Sequence, residues 1–396
     1  MLIPHLGVGG AQGAFLRLAR YLSDQAEVTL AVMEGTRPVD QDVGLRLQVL
    51  SDADRQLHKL GRWWGMLQRL RALKREHDVT ISFLSGVNLL NALAGSPNRT
   101  IVSERGSKRH DIGMSDRQRT LWTRVLDPLT YRRAGRVVAA SEGLAHEIIT
   151  ANPWAKGRVI AIEGTVCAEA LVDAADLPVE SDLAQLAQYE TVVAFGRLHV
   201  QKGYDFLLRA FARVRAMRSE ARLLLIGDGQ EGPHLQEIAA QLGLSVAKSG
   251  CKADVIMPGM RQDPLRYLQV ARVFALPSRY EGLPNSLIEA LAAGVSLLAS
   301  DCPWGPRSIL SGGSLTHDEV QPALPFALPH GVLMPVPDSP GAIDIWAQEL
   351  HRALEARPER PSRAERLAAV TRYDIAQTGP IWLQLAEDMA QAGRLS

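Results

Sequence analysis

The chain has 396 residues, of which 46% are hydrophobic and 22% charged, with a formal net charge of +1, and this length predicts two domains of ordinary size in a globular protein. The longest apolar runs fall short of the ~18 residues that a membrane-spanning helix needs, and the residues after Met1 lack the basic-then-apolar order of a signal peptide. Three widely spaced cysteines, Cys167, Cys251 and Cys302, favour neither a disulfide framework nor a zinc cluster, so we expect a reducing, cytoplasmic environment.

The start of the chain predicts a strand, a glycine loop, a helix and a second strand. Leu2 and Ile3 form the tail of a strand, and the loop Gly7-Val-Gly-Gly10 leads into a helix over residues 11–22 and a strand over residues 28–33. Glycines at such a turn, Gly9 and Gly10 in particular, allow the backbone to approach a ligand closely. An ordinary tight turn would need the same residues, so the loop alone leaves both interpretations open.

A basic stretch follows over residues 52–77. Residues 1–175 carry 23 Lys and Arg against 18 Asp and Glu, so the first half is positive although the whole chain is nearly neutral. Apolar side chains recur in this stretch at the spacing of one helix face, and basic residues cover much of the remaining surface. The apolar residues are Leu60, Trp63, Trp64, Leu67, Leu70 and Leu73. Adjacent tryptophans beside a basic face predict contact of residues 55–75 with an anionic membrane, and the solvated face of an ordinary helix is the alternative. We interpret Asp52-Ala-Asp54 as a helix cap and predict no metal site.

The rest of the first half predicts further strands and helices of an α/β domain. Strands are expected over residues 79–84, 100–103 and 137–141, helices over residues 85–94 and 117–136, and a linker over residues 173–190. Ligands of open α/β sheets bind at the carboxyl ends of the strands. Asn88, Glu104 and Arg105 stand just after two such ends, so we expect these side chains to face a bound molecule.

The second half opens with a buried type of strand over residues 191–195 and the loop Gly196-Arg-Leu-His-Val-Gln-Lys-Gly203. Arg197 offers a planar fork of donors and Lys202 a point charge, and both suit phosphate oxygens. The loop therefore predicts a diphosphate site, against the alternative of a solvated basic loop. A helix is expected next, because Phe206, Leu207, Ala210, Phe211 and Val214 recur on one face.

The next strand, residues 223–226, ends in Gly227-Asp-Gly-Gln-Glu-Gly232, which matches Gly-x-Gly-x-x-Gly. Alone, this motif predicts a dinucleotide-binding enzyme. An acidic residue about 20 positions farther on should then hold a ribose. That region is flanked by Lys248 and Lys252, and its one acid, Asp254, opens the following strand. A nicotinamide-dependent oxidoreductase is therefore the weaker interpretation.

Residues 274–310 combine an apolar run, a loop, an amphipathic helix and a second apolar run. Pro284 suits a first helical position and Gly294 suits the C-cap. Glu281 lies in the loop and Glu289 lies one turn inside the helix. A helix N-terminus favours an anion, but two acids would repel a bare phosphate unless they faced hydroxyl groups. The stretch therefore predicts a ligand that carries both a diphosphate and sugar hydroxyls.

These motifs resemble the retaining glycosyltransferases of family four, which have the two-domain GT-B fold, and in particular their bacterial surface-polysaccharide branch. The resemblance rests on Glu281 and Glu289, which match the Glu-x7-Glu signature, on SRYEGLPN at residues 278–285 and on DCPWGPR at residues 301–307. It implies an α/β protein with two Rossmann-like, doubly wound domains that face each other across a cleft. The predicted bounds are residues 1–172 for the first domain, 173–190 for the linker, 191–368 for the second domain and 369–396 for a helix that crosses back to the first. The family has a longer first strand, so we expect this chain to be clipped at its start.

The resemblance also implies a reaction. A hexose or N-acetylhexosamine would pass from a nucleotide diphosphosugar, a UDP-sugar, to a glycan or lipid-linked acceptor in cell-surface polysaccharide synthesis, with retention and without a metal or other cofactor. Arg197 and Lys202 would stabilise the departing diphosphate, and Glu281 would bind the sugar. Glu289 would hold the ribose, and the donor would also contact Gly9, Gly10, Gly196, Gly227, Gly259, Gly282, Leu283 and Asn285. Asn88, Glu104, Arg105 and His110 would lie on the acceptor side, although His110 also fits a solvated loop.

Three other classes stay open on the sequence alone. A GT-B sugar-nucleotide epimerase would use the same phosphate loop without an acceptor. A nicotinamide-dependent oxidoreductase would bind its cofactor at residues 227–232. A non-catalytic protein would bind the donor and leave it intact. No nucleic-acid partner is predicted, and the protein is expected in the cytoplasm, with a peripheral contact at the inner membrane.

Overall fold

The computed structural model describes residues 1–7, 9–34, 44–51, 59–179, 181–315, 323–356 and 358–394. It divides into two compact units. Unit 1 comprises residues 1–109, 114–166 and 372–396, and unit 2 comprises residues 110–113 and 167–371. The predicted cap Asp52-Ala-Asp54 and the first part of the predicted membrane-contact segment, residues 55–58, lie outside the described residues.

Unit 1 is built on a parallel sheet. Its strands in the described ranges are β1 (Leu2–Ile3), β2 (Thr29–Val32), β3 (Arg46–Val49), β4 (Thr80–Phe83), β5 (Thr100–Glu104), β6 (Arg136–Ala139) and β7 (Val159–Ala161). Their order in the sheet is β3-β2-β1-β4-β5-β6-β7. The chain moves outward from β1 in one direction and from β4 in the other, so the two strands form a topological switch point, as in doubly wound folds.

Helices cover this sheet. They are α1 (Gly10–Ser23), α2 (Lys59–Glu76), α3 (Ser85–Ala94), α4 (Asp116–Leu121), α5 (Asp127–Arg133), α6 (Glu142–Ala151) and the C-terminal helix Ile375–Arg394, with a π-helical turn Trp122–Leu126 between α4 and α5. The ring of Phe83 lies 5.4 Å from that of Phe15 and 5.8 Å from that of Trp382. The C-terminal helix thereby contributes to the core of unit 1.

Helix α2 differs in one respect from the pattern that the sequence indicates. Met66, Leu67, Leu70 and Leu73 are buried, as expected for one face of a helix. Trp64, which the spacing grouped with that face, is 60% exposed. Trp64 precedes Leu67 by three positions, so its side chain lies at the margin of the buried helix face, where it is exposed to solvent.

Unit 2 also has a mostly parallel sheet. Its strands in the described part of the chain are β8 (Glu190–Phe195), β9 (Ala221–Ile226), β10 (Val246–Ala247), β11 (Val255–Ile256), β12 (Val273–Leu276), β13 (Ser296–Ser300), β14 (Phe326–Leu328) and β15 (Gly331–Met334). They lie in the order β10-β11-β9-β8-β12-β13-β15-β14. The edge strand β14 is antiparallel to β15. Here the switch point is between β8 and β12.

The helices of unit 2 are α7 (Ala168–Ala175), α8 (Ser181–Ala184), α9 (Tyr204–Met217), α10 (Gly232–Gln241), α11 (Asn285–Ala293), α12 (Pro306–Leu310), α13 (Ala342–Glu355) and α14 (Arg363–Val370). Short 3-10 turns lie at Gln185–Gln188, Val200–Lys202 and Pro264–Gln269. A large apolar cluster of the unit includes Phe211, Leu223 and Trp346, each with no exposed surface.

The predicted linker, residues 173–190, is instead packed structure of unit 2. Helix α7 runs into it and buries Val172 and Ala175, and Leu183 and Leu186 have no exposed surface. The mixture of alanines and acids resembles a linker in composition. The apolar residues nevertheless recur at intervals of three to four, which is the spacing of one helix face.

Candidate functional site

Two loops meet at the switch point of unit 2. Strands β8 and β12 are neighbours in the sheet, with Val273 opposite Val192. The chain leaves β8 toward β9 on one side and leaves β12 toward β13 on the other. The carboxyl ends of such strands form the crevice in which open α/β sheets bind ligands. The 196–203 loop follows β8 and the 277–284 loop follows β12, so the predicted residues Arg197, Lys202 and Glu281 all belong to this end of the sheet.

Lys202 and Glu281 form an ion pair. Lys202 Nζ lies 2.7 Å from Glu281 Oε1, and the two side chains are 15% and 7% exposed. Ser278 Oγ donates to the same carboxylate oxygen at 2.6 Å. Gln201 Nε2 donates to the carbonyl of Tyr280 at 2.8 Å and lies 3.5 Å from Glu281 Oε2. The sequence predicts separate roles for Lys202 and Glu281, whereas the structure brings the two together and adds Ser278 and Gln201 as supports.

The backbone of Glu281 is held as well. Its N–H donates to the carbonyl of Pro303 at 2.5 Å, and the N–H of Trp304 donates to its carbonyl at 3.1 Å. Residues 303–304 follow strand β13 and lie within the DCPWGPR segment. The carboxylate is therefore fixed both through its side chain and through its main chain.

Glycines allow these loops to pack backbone against backbone. A Cβ on Gly203 would lie 2.0 Å from the carbonyl oxygen of Pro277, and a Cβ on Gly227 would lie 1.9 Å from that of Gly196. Both glycines also have positive φ angles, +65° and +153°. The resemblance places Gly227 under a nucleotide, and the close contact with the 196–203 loop by itself already requires a glycine at this position. Gly259, also predicted at the donor, has φ +80° and open space around its Cα.

Two protonated groups lie close to Glu281. Burial raises the pKa of the Tyr204 phenol and of the Cys302 thiol, and the charge of Glu281 raises both further. Both groups therefore keep their protons at neutral pH and supply no anionic nucleophile. The Tyr204 hydroxyl lies 3.0 Å from the Cβ position of Gly196 and has no hydrogen-bond partner among the described residues.

The 196–203 loop exposes its arginine. Arg197 is exposed, and the imidazole of His199 is half-buried two residues later. Burial, and after it the charge of Arg197, lowers the pKa of His199. His199 Nδ1 accepts a hydrogen bond from the backbone N–H of Gln201 at 3.2 Å. The neutral imidazole thus stabilises the turn that carries Lys202, while Arg197 extends into solvent.

His110, predicted on the acceptor side, belongs to the short segment 110–113 that groups with unit 2. Its ring stands edge-on to Trp304 at 6.1 Å. The next residue, Asp111, accepts a hydrogen bond from the Tyr280 hydroxyl at 2.6 Å. This predicted residue therefore lies next to the segments that hold the backbone of Glu281.

Helix α11 begins directly after the 277–284 loop. Gly282 and Leu283 are buried, while Asn285 and Glu289 are half-buried on the first and second turns. Gly294 is the C-cap in the left-handed conformation, φ 70°, as predicted. Pro284 is the N-cap rather than the first helical residue. The helix N-terminus is thus presented at the same end of the sheet as Glu281.

The predicted residues Asn88 and Glu104 of unit 1 are interior residues. Asn88 has no exposed surface; it accepts a hydrogen bond from Ser82 Oγ and donates one to the carbonyl of Ser103, both at 2.8 Å. Glu104 is 2% exposed and lies 3.0 Å from Lys108 Nζ. These side chains tie the strand ends of unit 1 together, which corrects the expectation that they face a bound molecule.

Among the predicted acceptor-side residues of unit 1, Arg105 has an N–H group that is not used in a hydrogen bond to any described residue. Its guanidinium lies 5.2 Å from the ring of Phe83. Burial, and after it the charge of Arg17, lowers its pKa to about 10. Its Nη1 is buried and has no hydrogen-bond partner in the described part of the chain. The predicted glycines of unit 1 lie at the start of α1, with Gly9 as its N-cap and Gly10 as its first residue.

The described residues contain neither a metal cluster nor a membrane-spanning helix. No three His, Cys, Asp or Glu side chains in these ranges are grouped so that they could hold a metal ion. No helix in these ranges is both long enough and apolar enough to cross a membrane. On α2, the exposed Trp64 ring lies 5.9 Å from the Arg71 guanidinium.

Comparison with known families gives one match on unit 2. Residues 189–331 match the model described as "Glycosyl transferases group 1". The matched range contains the 196–203 loop, the 277–284 loop and helix α11. The loops that carry the ion pair are therefore also the ones that the family model recognises.

Curated relatives point the same way. An uncharacterized glycosyltransferase of Methanocaldococcus jannaschii is 35% identical over 141 residues, which are 36% of this chain and 32% of the relative. The N-acetylgalactosamine-N,N'-diacetylbacillosaminyl-diphospho-undecaprenol 4-alpha-N-acetylgalactosaminyltransferase of Campylobacter jejuni is 24% identical over 333 residues, 78% of this chain and 82% of the relative. The first match thus spans about a third of its relative, and the second spans most of it.

Solved structures share the fold over almost the whole chain. HepE of Anabaena, crystallised with UDP and glucose, superposes with a TM-score of 0.70 at 18% identity and covers 97% of this chain and 98% of its own. The sucrose-phosphate synthase of Thermosynechococcus elongatus superposes with a TM-score of 0.69 at 16% identity, over 99% and 98% of the two chains. At identities this low, the structural similarity is evidence for the fold alone, and it confirms the predicted α/β fold class.

Proposed function

We propose that this chain is a glycosyltransferase, and that it transfers a hexose or N-acetylhexosamine from a nucleotide diphosphosugar to a glycan or lipid-linked acceptor, with retention of the anomeric configuration. The observation that carries the proposal is the Lys202–Glu281 pair, 2.7 Å apart at the switch point of unit 2. An ammonium suits the diphosphate and a carboxylate suits the sugar hydroxyls, so the pair matches the two halves of one donor.

The roles follow from the chemistry of each side chain. The bond between the sugar C1 and the diphosphate oxygen breaks, and the diphosphate leaves with the electron pair. Lys202 and Arg197 stabilise this growing negative charge. Glu281, fixed by Ser278 and by the backbone of residues 303–304, accepts hydrogen bonds from the sugar hydroxyls. Glu289, half-buried on α11, accepts hydrogen bonds from the ribose.

Retention requires attack on the face from which the diphosphate leaves. The oxygen of the acceptor hydroxyl forms the new bond to C1, and its proton passes to an oxygen of the departing diphosphate. The reaction then needs no protein nucleophile, which fits a site where the Tyr204 phenol and the Cys302 thiol keep their protons. The proposal includes no metal and no cofactor other than the donor.

A UDP-sugar is the donor we propose, with support from the fold shared with HepE, which was crystallised with UDP and glucose. A lipid-linked acceptor has support from the Campylobacter relative, whose name specifies a diphospho-undecaprenol acceptor. Other relatives are named for amylovoran and lipopolysaccharide core synthesis. Cell-surface polysaccharide synthesis is therefore the process that we assign to the chain.

We also propose that the enzyme works in the cytoplasm with a peripheral contact to the inner membrane through residues 55–75. The described part of this segment supports the contact, because Trp64 is exposed and Arg71 lies against it. An amphipathic tryptophan flanked by cations suits the headgroup region of an anionic bilayer.

The test is a donor screen that follows release of UDP or GDP, with a membrane extract as acceptor. We expect release from one nucleotide sugar that depends on the extract and persists with excess EDTA, and a product of unchanged anomeric configuration. Glu281→Ala should abolish transfer while circular dichroism stays native. Transfer by Glu281→Ala at the wild-type rate would contradict the proposal, and turnover of the nucleotide sugar without an acceptor would favour the epimerase.

A further inference from the structure

Arg279 uses its whole guanidinium on the protein itself. Nε donates to Asp338 Oδ2 at 2.6 Å. Nη1 donates to the carbonyl of Val200 at 2.8 Å and to Asp205 Oδ1 at 2.9 Å. Nη2 donates to Asp205 Oδ2 at 2.9 Å and to Asp338 Oδ1 at 3.2 Å. The five N–H groups of the side chain are therefore all engaged, and Arg279 has none left for a ligand.

These bonds join three segments of unit 2. Val200 and Asp205 flank Lys202, on the turn that ends the 196–203 loop and at the start of α9. Arg279 itself lies two residues before Glu281. Asp338 comes from the loop that follows β15. The side chain of Arg279 is 11% exposed, that of Asp205 29% and that of Asp338 64%, so the pair with Asp205 is the one better shielded from water.

The backbone adds a further connection between the same loops. The N–H of Arg279 donates to the carbonyl of Gln201 at 2.8 Å. Residue 279 thus contacts the 196–203 loop through both its main chain and its side chain. The distance between Lys202 and Glu281 is set by two loops, and Arg279 bonds these loops to each other in addition to the bond from Gln201 to the carbonyl of Tyr280.

We propose that Arg279 is a positioning residue for sugar transfer, which holds Lys202 and Glu281 at the spacing that the donor requires. The inference rests on the proposed function for its effect on turnover, and on geometry alone for its effect on Lys202. A bidentate arginine–carboxylate pair fixes orientation as well as distance, and lysine or glutamine cannot reproduce it. A displacement of about 1 Å in a catalytic group can cost on the order of 100-fold in rate.

Arg279→Gln is the test variant and Arg218→Gln is its matched control. Arg218 also lies in unit 2 and is 16% exposed. Its Nη1 donates to both carboxylate oxygens of Glu190, at 2.9 and 3.0 Å, and its Nε donates to His351 Nδ1 at 3.1 Å. Glu190 is the first residue of β8, whereas Lys202 follows the last, so the control lies at the opposite end of the sheet. Each variant removes a largely buried guanidinium and several hydrogen bonds, five at Arg279 and three at Arg218. If Arg279 had a purely structural role, both substitutions would lower the melting temperature, and the folded molecules of the two variants would have the same kcat.

We expect kcat of Arg279→Gln to fall on the order of 100-fold, with donor KM changed less than about threefold, and kcat of Arg218→Gln to stay within about twofold of wild type. A second readout needs no donor. Acetic anhydride labelling, followed by mass spectrometry, reports the accessibility of Lys202 relative to the exposed Lys248. Labelling of Lys202 should rise about tenfold in Arg279→Gln and stay at the wild-type level in Arg218→Gln.

A milder variant covers the case in which Arg279→Gln fails to fold. Asp338 has φ 71°, which asparagine tolerates as well as aspartate, so Asp338→Asn keeps the backbone and weakens two of the five bonds. We expect it to raise Lys202 labelling by about threefold. Equal labelling of Lys202 in wild type and in the folded variants would overturn the proposal. Absence of transfer by wild type would instead contradict the proposed function, and the labelling result would still decide the role of Arg279.

Discussion

Lys202 and Glu281 are 79 positions apart in the sequence, and their charged atoms are 2.7 Å apart in the structure. One follows β8 and the other follows β12, so the pair exists because these strands are neighbours at the switch point. An anion that approaches Lys202 also approaches a carboxylate, which repels it. A ligand gains from both groups only if it presents a phosphate oxygen to one and a hydroxyl to the other, as a sugar diphosphate does.

The first prediction concerns the lysine of this pair. In Lys202→Met, Glu281 keeps the hydrogen bond from Ser278, so unit 2 should still fold. The departing diphosphate loses a cation, and loss of one such group costs about 100- to 1,000-fold in kcat. Steady-state kinetics with the donor found in the screen measure this. The control is Lys248→Met on the exposed surface, and kcat of Lys202→Met within about threefold of that control would contradict the role.

The fold was largely predictable because its signals are local. The C-cap at Gly294, the strand before Gly196 and the helix after Gly203 follow from glycine positions and from apolar spacing over a few residues. Strand β3 could not be found in this way. Its residues, Arg46–Val49, alternate polar and apolar over only four positions, which is the shortest run that indicates a strand, and its apolar residues Leu47 and Val49 are exposed at a sheet edge.

The residues of the candidate site could be selected from the sequence, but their geometry could not, and their chemical roles stay predictions. Arg197, Lys202 and Glu281 stand in recognisable motifs, whereas the support from Ser278 and Arg279 depends on how loops pack. The position of Asn88 after a strand suggested a ligand contact. In the structure Asn88 is buried and bonds to Ser82 and to the carbonyl of Ser103 instead, because the end of a sheet has its own polar groups to satisfy.

The second prediction concerns the contact between glycine loops. Gly227→Ala would place a Cβ 1.9 Å from the carbonyl oxygen of Gly196. One of the two loops must then move, so we expect a loss on the order of 3 kcal/mol in the free energy of unfolding. Gly259→Ala is the matched control, because its φ is also positive while the space around it is open, and it should lose about 1 kcal/mol. Urea unfolding measures both, and equal losses would show that backbone strain alone requires Gly227.

The third prediction concerns the exposed tryptophan of α2. If residues 55–75 contact an anionic membrane, Trp64→Ala should weaken binding to phosphatidylglycerol vesicles about tenfold, because it removes apolar area that the headgroup region would cover. Trp154→Ala is the control: that ring is 42% exposed and has Arg132 at 4.8 Å, but lies outside the segment. Vesicle sedimentation measures the binding. Equal loss in the two variants, or binding unaffected by Trp64→Ala, would contradict a contact through α2.

The fourth prediction concerns a buried lysine of unit 1. Lys74 is 7% exposed and donates to neutral acceptors: Asn91 Oδ1 at 2.7 Å, Thr100 Oγ1 at 2.8 Å and the carbonyl of Asn91 at 3.2 Å. Burial lowers its pKa from 10.5 to about 7. Between these values the unfolded chain binds a proton that the folded protein lacks, so folding stability rises with pH across this window.

At a slope of about 1.4 kcal/mol per pH unit and proton, the free energy of unfolding should rise by about 2 kcal/mol from about pH 7.5 to about pH 9 because of Lys74. Lys74→Met removes the titrating group but keeps the apolar stem, so this part of the rise should disappear. The exposed Lys156→Met should retain it. Urea titrations at the two pH values measure the difference in slope, which does not depend on the constant stability change that either substitution causes. Parallel pH profiles for wild type and Lys74→Met would show that Lys74 stays protonated in the folded protein throughout this range.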